Sequence, residues 1–359
     1  MAGKINEENK ISGGLLGSAI GDAFGYPLQD MSYDEICERF EDLGALELAV
    51  SGKTGTALFT DATQLALFTA DGILWAAENE KAYDGICASY VFYSYQLWLY
   101  MQTKTVAGKE YAWLFERPKD EASPLLKVKA LTKKRNLHDT NTVALLSAHD
   151  DNFGRISHPV NDNTDNCALK RITPAGLFYA EDPEMAFRMA CDFGAITHSH
   201  PDGYLPCGVY AATLAGLVNG KEPEEAIEAA LDILCGYNGY ERCFNSVGNA
   251  VKMANDESIV PLDGISRIGL GTDAIEALSI AVYCAVLHQA NFRFAIELAA
   301  NHDGDSAACA ALTGGLLGAY YGLCELPKPW VKKLQCRSLL ETYAQRLYEL
   351  SSFAVSDEE

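Results

Sequence analysis

Two short stretches carry oxygen donors in a pattern that could hold a hard cation. Thr60, Asp61 and Thr63 stand together just after a loop containing Gly52 and Gly55. Asn301, His302, Asp303, Asp305 and Ser306 form the second group. Clustered hard oxygens suit Mg²⁺, Ca²⁺ or Mn²⁺. Each stretch also precedes an apolar helical pattern, so Thr60 or Asp61, and Asp303 or Ser306, have a second use as helix N-caps. A third set is ITHSHPDG, residues 196–203. Its His198 and His200 are two apart with Pro201 behind them. This differs from the four-residue spacing of paired helical zinc ligands, and a structural or ligand-orienting role fits better than metal.

The elements that must position these groups are helices. After Ser306 the chain runs through Gly314, Gly315, Gly318 and Gly322 among apolar residues. Glycine costs about 1 kcal/mol relative to alanine inside a helix, so four of them indicate close approach by a neighbouring helix. Residues 11–29 mirror this pattern with Gly14, Gly17 and Gly21, and Asp22 lies at the end before Gly25 and Pro27. The spacing predicts that these two glycine-bearing helices pack on each other at the centre. A helix follows Thr60, and an aromatic-rich one is expected within 80–105, its ring stripe facing core. Further helices are expected after Pro183, over Pro223–Leu234, and over Asp273–His288, the last apolar nearly all round and hence buried. Residues 106–166 are polar and turn-rich, with Lys127, Lys129, Lys133 and Lys134, and read as a long loop or insertion. No alternating strand-like run of useful length occurs. The expected class is all-α, with residues 1–359 as a single domain.

Composition narrows the partners. A formal net charge of −21 repels polyanions, so nucleic acid is not an expected partner, whereas cations and basic proteins are compatible. No apolar run is long enough to span a bilayer, and the polar start MAGKINEENKIS lacks the apolar core of a signal peptide. Eleven cysteines without a C-x-x-C pair read as reduced thiols of a cytoplasmic protein.

Taken in order, GGLLGSAIGDAFG, GKTGTALFTDATQ, RITPAGL, ITHSHPDGYLPCG, IEALSIAVYC and NHDGDSAACAALTGGLLGAYYG resemble the ADP-ribosylglycohydrolase family, and more narrowly its bacterial branch, over nearly the whole chain. The resemblance implies a compact orthogonal multi-helix bundle. It also implies a hydrolase that uses two divalent cations, Mg²⁺ or Mn²⁺, to cleave the glycosidic bond of ADP-ribose on a side chain. On that basis the expected metal ligands are Thr60, Asp61, Asp305 and Ser306, with Asp303 as a partial substitute. Asp61 and Asp305 would be the catalytic pair if the site is active. The expected ligand-binding residues are Asp22, Gln29, Asn166, Arg171, His198 and His200.

This chain departs from the family pattern at several of these places. The family's Thr-Asp-Asp-Thr is Thr60-Asp61-Ala62-Thr63 here. Its Gly-Asp-Ser/Thr-Asp-Ser/Thr, counted back from the packing glycine Gly314, is Gly304-Asp305-Ser306-Ala307-Ala308. An early Glu of many members corresponds to Gln29. Asp303-Gly304-Asp305-Ser306 spells the motif two residues early, but such a slide turns it by about 200° around a helix axis. The family's glycine-rich phosphate loop reads Asn163-Thr164-Asp165-Asn166-Cys167-Ala168, ending at Lys170-Arg171 where the family has Met-Arg-x-x-Pro. Asp165 there would repel phosphates. These losses favour a pseudoenzyme that binds an ADP-ribosylated or other protein partner, with Mg²⁺ or Mn²⁺ weak or absent. The alternatives are an active Mg/Mn-dependent hydrolase, or an enzyme on another ligand with one metal or none.

Overall fold

The computed structural model of the protein describes residues 6–40, 44–105, 108–116, 122–132, 140–149 and 152–351. In chain order the helices are α1 (Glu7–Gly25), α2 (Tyr33–Phe40), α3 (Asp61–Glu78), α4 (Cys87–Thr103), α5 (Thr140–Ser147) and α6 (Thr173–Phe178). Then come α7 (Pro183–Ala195), α8 (Pro201–Val218), α9 (Pro223–Leu234), α10 (Glu241–Ala254) and α11 (Pro261–Ile268). The last five are α12 (Ala274–Leu287), α13 (Phe292–Ala300), α14 (Ser306–Tyr321), α15 (Lys328–Lys333) and α16 (Arg337–Glu349). Among the described residues the only β pairing is isolated bridges, such as Asp165 with Asp273. The all-α expectation holds, and no described helix is long and apolar enough to cross a membrane.

The two glycine helices pack together, antiparallel and almost backbone to backbone. A Cβ built on Gly13 would lie 2.2 Å from the Gly318 carbonyl oxygen, on Gly17 2.2 Å from that of Gly314, and on Gly21 1.9 Å from that of Ala310. On Gly25 it would meet the Ser306 carbonyl oxygen at 2.4 Å. This register brings the C-terminal end of α1 against the first turn of α14. Both helices are buried along nearly their whole length. Helices α6, α8, α12, α13 and α16 pack against this pair, and α12 is buried nearly all round, as expected, with Ile275, Leu278, Val282 and Tyr283 in the core.

Within 106–166 the described residues hold short 3-10 helices at Lys109–Phe115, Pro124–Lys127 and Lys129–Thr132, and then α5. They are anchored by buried Tyr111, Leu114, Leu125, Leu131 and Leu145. Lys133 and Lys134 lie outside the described residues. The aromatic helix starts at Cys87, so Tyr83 precedes it and packs edge-on to Tyr179 at 5.6 Å between ring centroids.

Candidate functional site

The first wall of the site is the start of α3. Thr60 caps it, its hydroxyl accepting the Ala62 N–H at 3.0 Å. The same helix end is capped a second time from α1. The fully buried Asp22 carboxylate accepts the N–H groups of Thr60 (3.1 Å) and Thr63 (3.0 Å) and the Thr63 hydroxyl (2.5 Å). A carboxylate suits the positive end of a helix. Burial nevertheless pushes Asp22 up to about 6, the bonds from Thr63 and Thr60 offsetting only part of that cost. Asp22 therefore ties α1 to α3 instead of facing water.

The second wall is the start of α14. Asp305 is its N-cap, with Oδ1 accepting the Ala308 N–H at 3.0 Å and Oδ2 accepting the Asn166 amide at 2.8 Å. Gly304 before it has φ +114°, and a Cβ there would lie 1.9 Å from the Leu270 carbonyl oxygen. The turn is thus fixed by backbone, and the Asp305 N–H donates to that same oxygen. Asp303 points elsewhere, its Oδ1 accepting the Tyr33 N–H at 2.7 Å. His302 is buried, its Nδ1 against the Asp303 carbonyl. Ser306 is wholly buried, and its hydroxyl has no hydrogen-bond partner among the described residues.

Residues 163–171 bridge the two walls. Asn166 also donates to the Gly271 carbonyl at 2.6 Å, which pins the loop to the segment before α12. The 3-10 turn Leu169–Arg171 packs against both α3 and α14. From it the Lys170 ammonium reaches Asp61 Oδ2 at 3.1 Å, the two side chains only 5% and 2% exposed. That oxygen receives no hydrogen bond of good geometry, so its match is the Lys170 charge.

Behind this turn lies a buried relay. The Arg171 guanidinium, fully buried over the Tyr95 ring at 4.4 Å, donates to Asn141 Oδ1, to the Phe193 carbonyl and to the Thr197 hydroxyl at 2.9 Å. Thr197 Oγ1 is 2.8 Å from His198 Nδ1, and His198 Nε2 is 3.0 Å from Asp165 Oδ1. Asp165 also accepts from the Thr140 hydroxyl and the Cys167 N–H. Burial alone would raise Asp165, but His198 and these donors outweigh it and hold the carboxyl well below its usual range. Burial also lowers His198, more than Asp165 raises it. The pair is therefore a neutral imidazole donating from Nε2 to an ionised carboxylate. His200 caps α8, Nδ1 accepting the Asp202 N–H at 3.1 Å, and Gln29 is half-buried where the chain leaves the turn Tyr26–Leu28.

Direct contacts join Asp22 to Thr60 and Thr63, Asp61 to Lys170, and Asp305 to Asn166, with Asn166 and Lys170 both supplied by the 163–171 segment. His198 joins them through Asp165. Arg171, expected at a ligand, is enclosed and serves to orient His198. Four contributors were not foreseen: Lys170 on Asp61, Asn141 and Thr197 in the relay, and Thr140 on Asp165. Lys170 alone had a sequence signal, a charge where the family pattern has Met.

The site thus sits at two helix starts, those of α3 and α14, at one end of the glycine-packed pair. The family model described as ADP-ribosylglycohydrolase matches residues 4–354, and the chain belongs to that family. It is similar to the ADP-ribosylarginine hydrolase Tri1 of Serratia proteamaculans (strain 568), 37% identical over 89 residues, which is 25% of this chain and 23% of that protein. A second similarity is to ADP-ribosylarginine hydrolase Tri1 of Pseudomonas putida (strain GB-1), 37% over 87 residues, 24% of this chain and 22% of that protein. The matched stretch thus spans less than a quarter of either relative. A solved ADP-ribosylglycohydrolase-related protein complex has the same fold, with TM-score 0.58 at 21% identity over 96% of this chain and 99% of that one.

The family implies divalent cations, and the residues here do not fit them. Among the described residues, no group of three or more His, Cys, Asp or Glu side chains is gathered as a cation site. The Ser306 hydroxyl lacks a hydrogen-bond partner among the described residues. Against it, Asp61 is matched by Lys170, both Asp305 oxygens hold N–H donors, and positions 62, 307 and 308 carry buried alanines.

Proposed function

We propose that this protein has kept the ADP-ribosylglycohydrolase fold without efficient hydrolysis and acts by binding a protein partner, ADP-ribosylated or otherwise. The observation that carries this reading is the set of alanines at 62, 307 and 308. They lie 1–2% exposed in the first turns of α3 and α14, where the resemblance calls for two carboxylates and a hydroxyl. Cation-assisted hydrolysis needs a metal to orient the sugar and activate water, and a hard cation needs anionic oxygens to offset its dehydration. Alanine supplies neither charge nor lone pair. The net charge of −21 adds a preference for a basic partner, and we place the protein in the cytoplasm.

A second reading, an active Mg/Mn-dependent hydrolase removing ADP-ribose from protein side chains, is favoured by the 37% match to two ADP-ribosylarginine hydrolases. Incubation of the full chain with ADP-ribosylated protein and Mn²⁺ separates the two. The proposal expects retention of the label, with binding detected by calorimetry. Release of ADP-ribose at enzyme-like rates, stopped by chelator, would establish the second reading.

A further inference from the structure

The walls of the site contain two buried carboxylates, Asp22 and Asp61, and the half-buried Asp305, and they are stabilised in different ways. Asp22 and Asp305 each accept several N–H or O–H bonds. Asp61 Oδ2 has none of good geometry, and a buried carboxylate without a counter-charge is too costly to keep ionised. The group that reaches it is the ammonium of Lys170, 3.1 Å away and itself 5% exposed. Lysine is a compact point charge on a flexible stem. Here the stem is delivered by a 3-10 turn wedged against both α3 and α14. Two helix starts, with their partial positive charge, are a poor place to bury an ammonium unless carboxylates demand it.

We infer that the Lys170 ammonium is a built-in cation, standing in the position that this family gives to a divalent metal. Its single charge accords with the loss of acidic residues at 62 and 307: fewer carboxylates need less positive charge. The site is then neutralised by the chain itself, and a divalent cation entering it would have to displace Lys170. This shares a location and the alanines at 62 and 307 with the proposed function, but it rests on the Lys170–Asp61 contact. Lys170 can neutralise Asp61 whether or not ADP-ribose binds, and hydrolysis can be absent for other reasons.

The test is thermal unfolding of the full chain with chelator and with millimolar Mn²⁺. Wild type should melt at the same temperature in both. Lys170→Met leaves Asp61 buried and unpaired, and its midpoint should fall by about 4–7 °C, with part of that loss regained in Mn²⁺. The double variant Lys170→Met, Asp61→Asn should return most of the stability and be blind to Mn²⁺. If Lys170→Met fails to fold, the double variant and the wild-type titration decide. Saturable stabilisation of wild type by Mn²⁺ overturns the inference. So does a Lys170→Met protein that is as stable as wild type in chelator, one destabilised but unmoved by Mn²⁺, or a double variant no better than the single.

Discussion

Gly17 of α1 and Gly314 of α14 lie back to back, a Cβ on either coming 2.2 Å from the other's carbonyl oxygen. Neither backbone can give way without parting the helices whose ends carry the site. Gly17→Ala or Gly314→Ala should therefore cost about 3 kcal/mol in urea unfolding. Gly52→Ala, with open space around its Cβ position, should be nearly neutral. Equal stabilities for the three variants would contradict the close approach.

Asp22 predicts a pH signature. Its folded value is raised from 3.8 to about 6, so the protonated form is favoured by folding. Its contribution to stability is fully present below about pH 3.8 and declines as pH rises through 6. Asp22→Asn removes that titration. The stability gap between wild type and variant should move by about 2 kcal/mol in the variant's favour between pH 4 and 7. A gap that is flat with pH would show that Asp22 titrates normally.

The arrangement of Lys170 changes what restoring the motif should achieve. Ala62→Asp with Ala307→Asp and Ala308→Ser rebuilds the family's ligand types, but Lys170 still holds Asp61. Calorimetry should detect no Mn²⁺ binding to the triple variant, and binding once Lys170→Met is added. Tight Mn²⁺ binding to the triple variant alone would mean that Lys170 withdraws freely.

Arg171 is expected to be a structural keystone of the relay. Its planar fork serves Asn141, Thr197 and the Phe193 carbonyl at once while stacking on Tyr95. Arg171→Ala leaves these acceptors buried and unmatched, at a cost of about 3 kcal/mol or more. Arg171→Lys should recover little, because an ammonium cannot reproduce the fork. Denaturant midpoints check both, and a wild-type-like Arg171→Lys would refute the geometric role.

The glycine spacings around Gly17 and Gly314 were legible because close helix contact leaves a periodic mark in each strand of sequence. Thr60 was legible as a cap for the same local reason, but at the second start the sequence pointed to Asp303 or Ser306, whereas Asp305 between them caps α14 and Asp303 turns to the Tyr33 N–H. Lys170 was legible only as a charge where the family pattern has Met, since its meaning depends on Asp61, 109 positions away. Asn141 and Thr197 were invisible. Polar residues of common type acquire a role only once α5 and the end of α7 meet at Arg171. Within 106–166 the described residues include short helical turns, anchored by spaced leucines and Tyr111, that the polarity of the stretch did not announce.

The pairing of α1 with α14 also bears on how the molecule is made. Gly13 waits for Gly318, some three hundred residues downstream, and at synthesis rates of about 5–20 residues per second that is about 15–60 s. Through that interval the most closely fitted surface of the protein has no complement. A nascent chain interrupted before α14 would hold an exposed, glycine-lined apolar helix. Such chains should be the ones that chaperones retain longest, and pulse-labelled truncations ending before and after residue 322 would display the difference.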